Sequence, residues 1–209
     1  MTKKRIVLLG PPGAGKGTQA RLISDRTGLF HLSTGDILRE EVAHGSKLGK
    51  KAKEYMDRGD LVPDKLIVEM ISERIDGVSG FILDGFPRTI AQAEALEGIT
   101  DLDIVVDISL SRKEVIDRLS ARRVCGKCGK IYNLIFNPPL SDGLCDECGE
   151  ALLQREDDRQ DVIENRYDVY MQSTAPLIDF YAERSVLKQV DGNRSSDAIL
   201  ETILGLLSI

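Results

Sequence analysis

The chain has 209 residues, 42% of them hydrophobic, and a formal net charge of -6. That length carries one α/β domain with a full core and modest insertions, whereas the acidic balance argues against a general nucleic-acid or anionic-membrane surface, which needs a basic face. Residues 1–5 lead straight into the first apolar run and no apolar run approaches about 20 residues, so the expectation is a soluble cytoplasmic protein with neither signal peptide nor membrane span.

Residues 5–9 read as a buried strand that runs into Gly10-Pro11-Pro12-Gly13-Ala14-Gly15-Lys16-Gly17-Thr18. Glycines at this spacing let backbone N–H groups close around an anion, the helix predicted over 16–27 aims its positive end at it, and Lys16 reaches the β and γ phosphates. Gly17 stands where such loops usually carry a hydroxyl residue, and Thr18 comes one place later. Magnesium is therefore expected to be held more by phosphates and water than by protein.

Further along, apolar runs predict strands at 30–32, 81–83, 104–108 and 187–190, and three- and four-residue spacing predicts helices at 64–75, 89–96, 112–123, 161–183 and 195–207. The alternation implies a parallel five-stranded sheet covered by helices, with ligands at the carboxyl ends of its strands. Two segments break it. Residues 33–62, punctuated by glycines, read as a small helical excursion with little core, and residues 124–157, rich in Gly, Cys and Pro, as a second insertion. Pro176 is expected to bend or interrupt the long helix, because it removes a backbone donor.

Cys125-Gly126-Lys127-Cys128 and Cys145-Asp146-Glu147-Cys148 have the spacing of a four-thiolate metal site. Zinc fits best, with iron or another thiophilic metal and paired disulfides as alternatives. A closed site leaves no position for water, so the metal is expected to be structural. A nucleic-acid-reading zinc ribbon is the rival, but two lysines against Asp142, Asp146 and Glu147 do not make a basic surface. Asp84, at the end of its apolar run, is placed to hold magnesium directly or through water, or else to serve a turn before Gly85. His31 and His44 lack metal-ligand neighbours and read as structural or exposed.

Taken together, the glycine loop, Leu32-Ser33-Thr34-Gly35-Asp36-Ile37-Leu38-Arg39, Leu83-Asp84-Gly85-Phe86-Pro87-Arg88-Thr89 and Ala121-Arg122-Arg123-Val124 closely resemble the adenylate kinase family, and the cysteines its long-lid, zinc-bearing bacterial type. The resemblance runs over essentially the whole chain. It implies an α/β fold of the P-loop NTPase type: a core at 1–32, 63–123 and 162–209, an AMP-binding domain at 33–62 and a zinc-bound lid at 124–161. Implied for AMP are Thr34, Arg39, Asp60, Leu61, Val62, Gly85, Phe86, Pro87, Arg88 and Gln92, with Arg155 and Arg166. Gln92 would read adenine, since a carboxamide offers both a donor and an acceptor. Implied for ATP are Gly13, Ala14, Gly15, Lys16, Gly17 and Thr18, Arg118 and Arg122 on the helix entering the lid, Ile131 and Tyr132 within it, and Arg194 beside the base.

The same resemblance implies a monomer that transfers the γ-phosphoryl group from Mg-ATP to AMP, giving two ADP, by in-line attack without a covalent intermediate. Lys16, Arg88, Arg122, Arg155 and Arg166 would gather the phosphates and Asp84 the magnesium. Rival readings are a kinase for another nucleoside monophosphate or with GTP as donor, a zinc-ribbon nucleic-acid binder with an accessory ATPase, and a nucleotide sensor without turnover.

Overall fold

A computed structural model describes residues 4–208; residues 1–3, read above as leading into the first strand, and residue 209 lie outside the described residues. Five strands form one sheet: β1 (Arg5–Leu9), β2 (Phe30–Ser33), β3 (Phe81–Asp84), β4 (Ile104–Ser109) and β8 (Leu187–Asp191), in the order β2-β3-β1-β4-β8. Every pairing is parallel, with Val7 opposite Leu83 on one side and Val105 on the other. The helices that return the chain cover both faces: α1 (Lys16–Thr27), α4 (Asp64–Ile75), α5 (Ile90–Glu97), α6 (Arg112–Ser120), α7 (Gln160–Val169), α8 (Pro176–Glu183) and α9 (Ser196–Leu207).

Burial on both sides explains why the central strands are apolar runs, interrupted only by the buried Asp107 in β4. Alternate residues go to opposite cores. Val7, Leu9, Phe81, Leu83 and Val105 pack against α4, α5 and α8, and Ile6, Leu8, Ile82, Val106 and Ile108 pack against α1 and α9. Each such side chain contributes about 1.5–3 kcal/mol on leaving water. The connection after β1 runs to β2 at one edge, whereas the connection after β3 runs past β1 to β4 on the other side, so the crevice at the carboxyl ends of β1 and β3 is the topological switch point.

The segment between β2 and α4 is a pair of short helices, α2 (Thr34–Ala43) and α3 (Lys47–Met56), capped by Ser33 and Ser46. The second excursion is a separate three-stranded antiparallel sheet of β5 (Arg122–Cys125), β6 (Ile131–Asn133) and β7 (Leu152–Leu153), with β5 in the middle. Here the prediction of one helix over 112–123 is corrected. The helix stops at Ser120, because residues 122–124 pair with 131–133 and the chain must be extended to carry Cys125 toward the other cysteines.

The helix predicted over 161–183 is α7 and α8 joined by a π-helical stretch, Tyr170–Thr174. Ala175 N donates to Tyr170 O at 2.8 Å, one residue further back than in an α-helix. The widened turn lies just before Pro176, whose ring would otherwise press on the preceding turn. No helix among the described residues is long and apolar enough to cross a membrane.

Candidate functional site

The glycine loop lies at the switch point, wrapped around the start of α1. No acidic residue stands in the first turn of α1, so the positive end of the helix is left for an anion. Lys16 folds back over the loop, its Nζ donating to Gly10 O at 2.8 Å and Pro11 O at 2.9 Å. Burial pushes this ammonium down to about 8, with Arg88 and Arg166 pushing the same way and Asp84 opposing them. A phosphate placed among these groups would restore the charge. The glycine at 17 also has a cause: a Cβ there would lie 3.0 Å from Asp84 Oδ2. The space a hydroxyl residue would take is occupied by the strand-end carboxylate itself.

Cations converge on the same crevice from the helix–strand junctions. Arg122 donates to both oxygens of Asp158, at 2.7 and 2.5 Å, and Arg166 bonds Asp158 Oδ1 at 3.1 Å and Asp157 Oδ2 at 3.0 Å. Asp158 is 1% exposed, so one buried carboxylate aligns two guanidiniums. The aspartates brace arginines rather than cap α7, which has no side-chain cap. Burial, with repulsion from Arg122 and Arg39, pushes Arg155 down to about 9, and burial pushes Arg166 to about 10. Arg122 reaches this position from β5, not from a helix as expected.

On the β2–β3 side, Thr34 Oγ1 donates to Gly85 O at 2.8 Å and Arg88 Nε donates to the same oxygen at 2.8 Å. Arg39 is held by Asp36 at 2.6 Å. Gln92 is buried at the end of this pocket, its Oε1 accepting from Arg88 N at 2.7 Å and its Nε2 donating to Asp64 Oδ1 at 2.7 Å. On the opposite side, Arg118 Nη2 donates to Gly192 O at 2.7 Å, and its guanidinium lies over the exposed ring of Phe136, 5.4 Å from the centroid. Arg194 bonds Thr202 Oγ1 at 2.9 Å.

One cleft of about 890 Å³ unites these groups. Its walls include Asp84, the loop from Gly13 to Thr18, Arg118, Arg122, Ile131, Tyr132 and Arg194, as well as Thr34, Arg39, Asp60, Leu61, Val62, Gly85, Pro87, Arg88, Gln92, Arg155 and Arg166. Phe86 is the exception. Its ring is 1% exposed and packs into the apolar core under the sheet, since an aromatic side chain gains most by leaving water there. The Tyr132 side chain also turns away from the cleft, its hydroxyl 3.4 Å from Cys145 Sγ and accepting from Asp146 N at 2.8 Å. His44 is exposed, while half-buried His31 lies 4.0 Å from Asp84 Oδ2.

Sequence reasoning passed over Asp64, Phe136 and Gln19. Asp64 reads as an ordinary acid at a helix start, and Phe136 as one more loop aromatic. Gln19 on α1 is buried and ties that helix to α9 by donating to Ser196 O at 2.9 Å. The available signal for it is its spacing, four residues before Ile23 and so on the apolar face of α1.

The four cysteine sulfurs lie within 4.8 Å of one another, and all four cysteines are free. The Cys125–Cys148 and Cys128–Cys145 separations, 3.3 and 3.5 Å, exceed a disulfide bond of about 2.05 Å and suit the edges of a metal–thiolate tetrahedron, about 3.8 Å for zinc. Each Cys-x-x-Cys turn is built alike. Cys125 N donates to Lys130 O and Gly129 N to Cys125 O, and Cys145 N donates to Glu150 O and Gly149 N to Cys145 O, at 2.9–3.0 Å. The donor set fits a closed, structural zinc site, with Tyr132 filling the space beneath it.

The adenylate kinase family profile matches residues 8–186. The chain is 48% identical over 210 residues to a protein named adenylate kinase from Archaeoglobus fulgidus, covering 97% of both chains. It is 50% identical over 212 residues to one so named from Carboxydothermus hydrogenoformans, covering 97% of this chain and 99% of that one. The corresponding protein of Kosmotoga olearia is 51% identical over 206 residues, covering 95% of this chain and 96% of its own. Likeness of this depth over nearly the full length, around a cleft of this construction, means that the chain belongs to the adenylate kinase family.

Proposed function

We propose that this chain transfers the γ-phosphoryl group of Mg-ATP to AMP, reversibly and in line, with each named residue of the cleft in a defined role. The activity is that of its family; the residue roles are the present reading. The observation that supports it is a single cleft lined at once by the glycine loop, by Gln92 and by the cations Lys16, Arg39, Arg88, Arg122, Arg155 and Arg166.

Lys16 and the N–H groups of residues 13–18 bind the ATP phosphates, while Arg118, Phe136 and Arg194 flank its base. Thr34, Arg39, Gly85 and Arg88 bind AMP, the Asp60-Leu61-Val62 segment closes over it, and Gln92 reads its adenine. Arg122, Arg155 and Arg166 face the phosphoryl group in transit. Phosphoryl transfer leaves little bond chemistry for side chains, so alignment and converging positive charge supply the rate. Magnesium bound with ATP would supply neutralising charge to the phosphates, and Asp84, which lines the cleft, would hold it directly or through water.

The segments 33–62 and 124–161 act as AMP-binding domain and lid around the core, with the lid sheet starting slightly earlier, at Arg122. Their closure excludes water, the competing nucleophile. The acidic balance weighs against a nucleic-acid partner, and the family is the ground for reading a monomer in the cytoplasm. Incubating equimolar ATP and AMP with the purified protein tests the reaction. ADP accumulating at two per AMP consumed is expected, with AMP preferred over GMP, CMP and UMP. ATP loss that does not depend on AMP, or no ADP at all, overturns the reading.

A further inference from the structure

Asp64 stands in the first turn of α4, half-buried and outside the walls of the cleft, yet it is bonded to the residue assigned above to adenine. Its Oδ1 accepts from Gln92 Nε2 at 2.7 Å, and its Oδ2 accepts from Thr89 Oγ1 at 2.9 Å. From the other side of the carboxamide, Arg88 N donates to Gln92 Oε1 at 2.7 Å. A carboxylate only accepts and a backbone N–H only donates, so these two contacts admit one orientation of the amide. Turned over, it would set N–H against N–H and oxygen against carboxylate. Gln92 is 2% exposed, so water cannot compensate either loss.

We propose that Asp64 is a specificity-determining positioning residue, which through Gln92 selects a 6-aminopurine monophosphate over a 6-oxopurine one. With the amide fixed, its second N–H and the second lone pair of Oε1 are presented in a set order. Adenine offers an acceptor at N1 beside a donor at N6, whereas hypoxanthine and guanine offer a donor at N1 beside an acceptor at O6. Only one of the two edges matches a fixed amide. A site with buried polar groups rejects the mismatched edge far more strongly than a merely apolar pocket does. Thr89, which caps α5 and donates to the same carboxylate, holds Asp64 in place.

The inference rests on the reading of Gln92, and its test separates the two. The quantity is the ratio of kcat/KM for AMP to kcat/KM for IMP at saturating ATP, in the parent, Asp64→Leu, Asp64→Ala and Gln92→Leu. The fraction of folded enzyme cancels in this ratio, so a structural defect alone does not move it, and near-isosteric Asp64→Leu, which removes the acceptor an asparagine would keep, serves if Asp64→Ala folds poorly. A fall of about tenfold or more is expected in both Asp64 variants and in Gln92→Leu. A ratio kept in the Asp64 variants but lost in Gln92→Leu overturns the inference and leaves the role of Gln92 standing. A ratio kept in all three overturns both. A fall confined to the Asp64 variants also overturns it, since Asp64 would then act through another group.

Discussion

The phosphate cleft and the cysteine-bearing sheet are built by different physics. Around the cleft, five parallel strands carry two apolar cores, and the charged groups are mounted on strand ends and helix starts that burial already holds. The lid sheet has three short strands, and its buried cluster is little more than Cys125, Tyr132 and Cys145. Its larger apolar side chains face outward, with Ile135, Phe136 and Leu140 exposed. A segment of this size lies below what a hydrophobic core can stabilise alone. The metal therefore replaces a core, and the two regions should fail separately.

Removing the metal sharpens that contrast most. Structural zinc contributes about 10 kcal/mol or more to the folding of comparable peptides. Chelation should therefore abolish hydrogen-exchange protection in residues 122–153 while β1 and β4 keep theirs; equal loss in both regions breaks the comparison. Next in size, Lys16→Met should lower turnover by about 10³-fold, as loss of a principal phosphate donor does. Zinc content and melting temperature should stay near those of the parent.

Asp158→Ala strikes the joint between the regions, leaving half-buried Arg122 and Arg166 without their shared carboxylate. A loss of about 3–5 kcal/mol in denaturant unfolding is expected, and a bound phosphate ligand should recover part of it by taking the place of the carboxylate. The smallest effect is a pH dependence. In the free protein Lys16 loses its proton near pH 8, and the charged form binds phosphate better. Affinity for ATP should thus be intact below that pH and weaken as pH rises through it, by about tenfold per unit at the limit. Lys16→Arg, charged throughout, should flatten this profile.

The sequence disclosed what neighbouring residues encode. Apolar residues marked the five strands, in unbroken runs in β1 and β3 and interrupted by Lys188 and Gln189 in β8, while glycine spacing marked the anion loop and paired Cys-x-x-Cys turns the metal site, because each is a local pattern with a local cause. Partnerships across distance left no such trace. Arg122 and Asp158 are 36 residues apart, and Asp64 and Gln92 are 28 apart; neither pair lies on one helix face or one strand. The misplaced helix end at 121–123 has the same origin, since pairing with 131–133 overrides local helical spacing there. Phe86, drawn toward the nucleotide by its neighbours Gly85 and Arg88, belongs to the core because a phenyl ring has more to gain there.

The division of labour between cleft and metal is tested most directly by the single-turnover rate of γ-phosphoryl transfer to AMP with zinc exchanged for cobalt, the thiolate–cobalt absorption reporting occupancy. With the lid equally protected, a structural metal predicts rates within about threefold of each other. A change of about tenfold or more that follows the identity of the metal would contradict it.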